Sequence, residues 1–135
     1  MTISRAMRRV SKYDETKDDF PTTPWVTRAF IELVVKRKLI HRTIDEPACG
    51  RGHMLRTLQE YCGTVTGSDL VNYGNNRVAD YLAGPSAVVD YRITNPPFKL
   101  AEPFFHKMYA ESRLGVGMLV RTLWLENGGR YDRLS

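Results

Sequence analysis

Apolar residues Phe30, Ile31, Leu33, Val34 and Val35 recur at helical spacing behind Thr23, which can cap, and Pro24, which suits a first helical turn. They predict a helix from Pro24 to about Lys38. A short strand at Thr43 to Glu46 follows, then a glycine turn, a helix from His53 to about Tyr61 and a strand at Val65 to Asp69. Two turn signals, Gly74-Asn75-Asn76 and Gly84-Pro85, flank a segment that fits either a third strand or one helical turn; the strand is the preferred reading. Val88 to Thr94 supplies a fourth strand, and Pro103 fits the first turn of a helix reaching Ser112. Val116 to Val120, apolar throughout, reads as a fifth strand buried on both faces. A turn or two of helix and a stop at Gly128-Gly129 complete the pattern. Strands alternating with helices in this way predict a parallel sheet with crossover helices.

The 135 residues suffice for one domain, and 42% hydrophobic with 26% charged residues describes a packed chain rather than a disordered one. A net charge of +5 tilts the choice of partner mildly toward an anion such as nucleic acid. Residues 1–19 read as a mobile arm, with Arg5, Arg8, Arg9 and Lys12 ahead of Asp14, Glu15, Asp18 and Asp19, and residues 20–135 as the folded domain. No apolar run has membrane-spanning length, and no signal-peptide core follows the basic start, so a cytoplasmic protein without membrane contact is expected. Cys49 and Cys62 lack a Cys-x-x-Cys spacing, and His41, His53 and His106 are scattered, which argues against disulfides and a metal site.

Two stretches carry chemistry. In "DEPACGRGHML", Gly50 and Gly52 stand between the first strand and its helix, where an open parallel sheet places a ligand loop. Asp69 closes the next strand 17 residues after Gly52, near the spacing at which an acid meets a ribose hydroxyl pair. Glycine turn and acid together favour a nucleoside-containing cofactor, and the absence of a Gly-Lys-Ser/Thr run disfavours ATP. The second stretch is "NPPF", Asn95, Pro96, Pro97 and Phe98, directly after the fourth strand. The prolines hold the backbone, so that the Asn95 side-chain carbonyl and the Pro96 carbonyl form a rigid acceptor pair for a conjugated amine. Phe98 offers a face on which a flat ring can stack.

In this order, "EPACGRGHML", "GSDL", "ADYL" and "ITNPPFKLAEPF" resemble class I S-adenosylmethionine-dependent methyltransferases, most of all the short phage- and prophage-type DNA N6-adenine methyltransferases. "DDFPTTPWVTRAFIE" is similar to the segment ahead of that family's glycine loop, and "MLVRTLWLENGGRYDRL" to the one after its fifth strand. The resemblance implies a Rossmann-like α/β fold, S-adenosyl-L-methionine as cofactor and a flipped DNA adenine as substrate. It implies further that Phe20, Thr23 and Pro24 lie near the methionine end of the cofactor, with Glu46, Ala48, Gly50 and Gly52 around it. Asp69 would hold the ribose hydroxyls, Asp80 the cofactor's adenine, and Asn95 to Phe98 the catalytic face.

Similar family members close their sheet with a C-terminal hairpin, for which this chain supplies no strands by our count. Val116 to Val120 is then an exposed edge, expected to self-associate or take a partner chain. The competing readings are an inactive, truncated remnant that binds at most a cofactor or partner, and N-methylation of RNA adenine or of a protein glutamine amide.

Overall fold

The computed structural model describes residues 22–74 and 76–126, together with 129, 130 and 132. The expected arm at residues 1–19, Phe20 and Gly128 lie outside them.

Pro24 opens helix α1 (Pro24–Ala29) at its first position, with Thr23 extended at the N-cap and making no side-chain capping bond. The helix then widens into a π-helical continuation, Phe30–Val35, closed by a hydrogen bond from the Lys36 N–H to the Ile31 carbonyl five residues back. Lys36 takes a left-handed conformation (φ 52°), which ends the helix before the expected Lys38. The wider turn also changes which side chains face inward: Ile31 is buried and Phe30 and Val35 pack against it, whereas Leu33 and Val34, expected on the apolar face, stand exposed.

Strand β1 (Thr43–Glu46) leads through the glycine turn into α2 (His53–Leu58), which stops three residues before the expected Tyr61 in a set of tight turns. Strand β2 (Thr64–Asp69) follows. The ambiguous middle contains both readings, a two-residue strand β3 (Arg77–Val78) and a 3₁₀ turn at Tyr81–Ala83. After β4 (Val89–Thr94), a 3₁₀ turn at Phe98–Leu100 runs into α3 (Ala101–Ala110), with Pro103 in its first turn. Helix α3 ends two residues before the expected Ser112, because Ser112 already belongs to β5 (Ser112–Met118). The fifth strand therefore starts four residues earlier than Val116 and stops short of Val120. Nor is it buried on both faces: Arg113 and Leu114 are exposed and only Gly117 is buried. Helix α4 (Thr122–Glu126) is the short helix expected after it.

The five strands form one sheet in the order β3-β2-β1-β4-β5, and every pairing is parallel. All strands thus end at the same edge, with β1 and β4 side by side at its centre and β5 at one side. One face carries a core of Ile31, Leu39, Ile44, Met54, Leu58, Cys62 and Ile93, and a second cluster gathers Tyr81, Phe104 and Met108 with Val116 and Met118. Gly117 admits the π-helical segment to the sheet, since a Cβ there would lie 2.7 Å from carbons of the Phe30 ring. No helix among the described residues is long and apolar enough to cross a membrane.

A buried ion pair fastens the centre of the sheet. Arg92 of β4, 2% exposed, donates from Nε to Asp45 Oδ2 of β1 at 3.1 Å, from Nη2 to the Ala87 carbonyl at 2.6 Å and from Nη1 to the Glu111 carbonyl. The other Asp45 oxygen accepts from the Thr66 hydroxyl of β2 at 2.7 Å, and the Tyr81 ring lies 5.3 Å from the Arg92 guanidinium carbon. Removing either member strands the other charge in the interior, so the pair is costly to break. Asp45→Asn leaves the Arg92 charge uncompensated and is predicted to lower unfolding stability by about 3–5 kcal/mol in urea titrations; a loss under about 1 kcal/mol would show that the pair does not hold the strands.

Candidate functional site at the strand ends

The glycine turn follows β1 at the sheet's C-terminal edge. Gly50 and Gly52 have φ of 53° and 85°, a region that L side chains avoid, and nothing lies within 4 Å of where a Gly50 Cβ would be. The turn thus leaves open space beside its backbone. It is fastened to β2: the Cys49 N–H donates to the Ser68 carbonyl at 2.9 Å, and the Gly50 N–H donates to Asp69 Oδ2 at 2.9 Å. Asp69 Oδ1 accepts from the Val71 N–H at 3.0 Å. Each carboxylate oxygen has a further lone pair, so the acid that shapes the turn can still accept from a ligand hydroxyl. Burial pushes the Asp69 carboxyl above its ordinary value, opposed by the N–H bonds from Val71 and Gly50.

Glu46, the last residue of β1, is 2% exposed, and its Oε2 has no hydrogen-bond partner. Burial, then the charges of Asp69 and Asp45, push its carboxyl well above the usual carboxylate range. A buried acid with an unpartnered oxygen, next to a second acid, is a place that a cation would stabilise. Beside it, burial and the Glu46 charge push the Cys49 thiol up to about 12, so this cysteine is no nucleophile.

The Asn-Pro-Pro-Phe stretch follows β4 at the same edge. Thr94, fully buried, donates from its hydroxyl to the Ala48 carbonyl at 3.3 Å, which ties the end of β4 to the glycine turn. Asn95 is exposed, and its Nδ2 donates to the Thr22 hydroxyl at 3.2 Å, so the opposite end of the amide, the carbonyl oxygen, is the one presented. Pro96 is buried, and the Pro97 carbonyl accepts from the Leu100 N–H at 2.9 Å in the following 3₁₀ turn. Asn95, Pro96 and Phe98 line a cavity of about 410 Å³ together with Thr22, Thr23, Arg121 and Trp124. The Arg121 guanidinium carbon lies 4.6 Å from the Phe98 ring centroid.

Of the residues expected at the site, Thr23, Asn95, Pro96 and Phe98 share this cavity, and Pro24 begins the helix beside it. Glu46, Ala48, Gly50, Gly52 and Asp69 form a neighbouring group at the ends of β1 and β2, and none of them lines the cavity itself. Asp80 serves its own turn, where its Oδ1 accepts from the Leu82 N–H at 3.1 Å and caps the 3₁₀ segment. Phe20 lies outside the described residues. Thr22, Arg121 and Trp124 were not anticipated. They stand in the flanking stretches "FPTTPW" and "RTLWLE", whose polarity alone signals nothing. Among the described residues, no group of three or more His, Cys, Asp or Glu side chains is placed to hold a metal ion.

No protein-family model and no curated protein matches the sequence. Solved structures do match in fold. A dimethyladenosine transferase from Plasmodium falciparum aligns with a TM-score of 0.62 at 17% identity, over 79% of this chain and 45% of its own. A methyltransferase from Pyrococcus furiosus aligns with a TM-score of 0.58 at 16% identity, over 98% of this chain and 88% of its own. The phosphoethanolamine N-methyltransferase 1 of Haemonchus contortus, in complex with phosphoethanolamine and S-adenosylhomocysteine, aligns with a TM-score of 0.55 at 18% identity, over 88% of this chain and 33% of its own. The chain thus has a Rossmann-like methyltransferase fold, and spans less than half the length of two of these three neighbours.

The raised Glu46 carboxyl has a consequence for stability. Relative to the unfolded chain, its stabilising contribution is fully present below the ordinary value of 4.5 and is lost as pH rises toward the folded value. Glu46→Gln removes that loss, so its thermal midpoint is predicted to exceed the parent's by about 3–6 °C at pH 8 and to match it at pH 4; an equal gap at both pH values would contradict the assignment.

Proposed function

We propose that the protein transfers a methyl group from S-adenosylmethionine to the exocyclic N6 amine of adenine in DNA. The observation that carries this reading is that Asn95 and Pro96 line a cavity beside a glycine turn that Glu46 precedes and Asp69 fastens. The residues present fit the cofactor: the turn leaves room, Asp69 retains acceptor capacity for ribose hydroxyls, and the orphaned Glu46 oxygen suits a cationic group. Ala48, Gly50 and Gly52 would surround it, with Thr23 and Pro24 toward its methionine end and Asp80 toward its adenine. When bound, S-adenosylmethionine supplies an electrophilic methyl group on a positively charged sulfur.

The chain's own part is to prepare the nitrogen. The lone pair of an adenine amine is delocalised into its ring and attacks poorly. The Asn95 side-chain carbonyl and the Pro96 carbonyl would accept hydrogen bonds from its two N–H groups, draw the nitrogen toward a tetrahedral arrangement and favour the positive charge that develops there. Thr22 keeps the Asn95 amide turned so that its oxygen serves this purpose. The new N–C bond would form as the methyl's bond to the cofactor sulfur breaks, its electron pair staying on the sulfur to leave S-adenosylhomocysteine, and the excess proton would leave the nitrogen to water afterwards, so no side chain must act as base. Phe98 supplies the stacking face for the base. In support, one fold neighbour carries the name dimethyladenosine transferase, and another is in complex with S-adenosylhomocysteine.

The test is tritiated-methyl transfer to unmethylated DNA, with calorimetry of cofactor binding alongside. Asn95→Ala is predicted to reduce turnover by about 10²–10³-fold while cofactor affinity stays within about twofold. Thr22→Ala is predicted to lower turnover by about tenfold, with Thr22→Ser restoring it. A parent protein that binds cofactor yet methylates no DNA would instead be a binding module, and loss of cofactor affinity in Asn95→Ala would refute the division of roles.

A further inference from the structure

The stacking face assigned to the substrate already has an occupant. Arg121 lies over the Phe98 ring at 4.6 Å, and both residues line the cavity that holds Asn95. A guanidinium is flat, as a nucleobase is, so one aromatic face serves both, though not at once. The backbone of Arg121 is fixed, because its carbonyl accepts from the Trp124 N–H at 2.9 Å at the start of α4. Its side chain is exposed and long, so it has room to change rotamer.

We propose that Arg121 is the residue by which this site selects a nucleotide. The incoming base takes the guanidinium's place over Phe98, and the displaced, permanently charged side chain meets the phosphate attached to that base. Stacking of a base on an aromatic ring outweighs an exposed cation–π contact, which favours the base over the guanidinium on Phe98. A protein glutamine amide brings neither a full ring nor an anion, and so leaves the displaced Arg121 without compensation. The inference rests on the methyl-transfer reading above and deepens it by naming the residue that selects a nucleotide substrate.

The test compares binding of adenosine, by tryptophan fluorescence, with binding of a short single-stranded oligodeoxynucleotide carrying one adenine, by anisotropy over a range of salt concentrations. For Arg121→Ala, oligonucleotide binding is expected to weaken about tenfold, with the slope of log affinity against log salt shallower by about 0.7. Adenosine binding should stay equal or tighten, and Arg121→Lys should keep the parent's slope. Equal weakening for adenosine and oligonucleotide, an unchanged slope in Arg121→Ala, or tighter parent binding of a glutamine-bearing peptide than of the oligonucleotide would overturn the proposal. A parent that methylates nothing but shows the Arg121-dependent slope removes the methyl-transfer reading and leaves the selection of a nucleotide standing. An active parent whose slope is indifferent to Arg121→Ala does the reverse.

Discussion

An arginine with 2% of its surface exposed has to be held by what surrounds it, and the centre of this sheet is organised around that requirement. Arg92 on β4 finds Asp45 on β1, and Asp45 in turn finds Thr66 on β2, so one charge pair spans three neighbouring strands. A shift of β4 by one residue would point Arg92 to the other face, into the cluster around Ile44 and Ile93, where no acid is available among the described residues of that cluster. The pair therefore sets register. Register sets function, because the residue after Asp45 is Glu46 and the second residue after Arg92 is Thr94. The Thr94–Ala48 hydrogen bond then closes the two chain exits against each other.

What stands at those exits runs against stability. Gly50 and Gly52 hold left-handed conformations, Glu46 buries a carboxyl with one oxygen unpaired, and Asn95 is exposed next to buried Thr94 and Pro96. Each departs from what a sheet edge would otherwise adopt, and each suits a ligand: space at the turn, affinity for a cation, and a carbonyl directed by Thr22. Departures of this kind gathered at the ends of adjacent strands are the physical signature of a site.

The sheet was legible in the sequence because alternating short apolar runs and helical periods leave few topologies, and Thr43–Glu46, with β1 beside β4, follows from that logic. The left-handed turn at Gly50 and Gly52 and the strand end at Asp69 were legible too, since glycines and an acid in that pattern announce unusual backbone, whereas of Asn95 to Phe98 the cavity takes in Asn95, Pro96 and Phe98 but not Pro97. Several features were hidden for equally physical reasons. The turn at Phe30–Val35 is π-helical, with the Phe30 ring seated over Gly117, so the 3.6-residue periodicity of Leu33 and Val34 misleads. The start of β5 at Ser112 is polar and near an edge, where no apolar run marks it. Asp45 and Arg92 look like surface charges until the fold brings them together, and Arg121 acquires meaning only through its position over Phe98. The cavity reaches Asn95 but its lining stops short of the glycine turn, a separation that no one-dimensional pattern displays.

Methyl transfer at these strand ends requires the glycine turn and the Asn-Pro-Pro-Phe stretch to be two walls of one site. Titrating ¹⁵N-labelled protein with S-adenosylmethionine and following amide resonances reads both walls at once. Concerted, saturable shifts are predicted at Gly50, Gly52 and the Asp69 region together with Asn95 and Phe98, all fitting one affinity. Shifts confined to the turn with Asn95 and Phe98 unmoved, or none at Gly50, would contradict it.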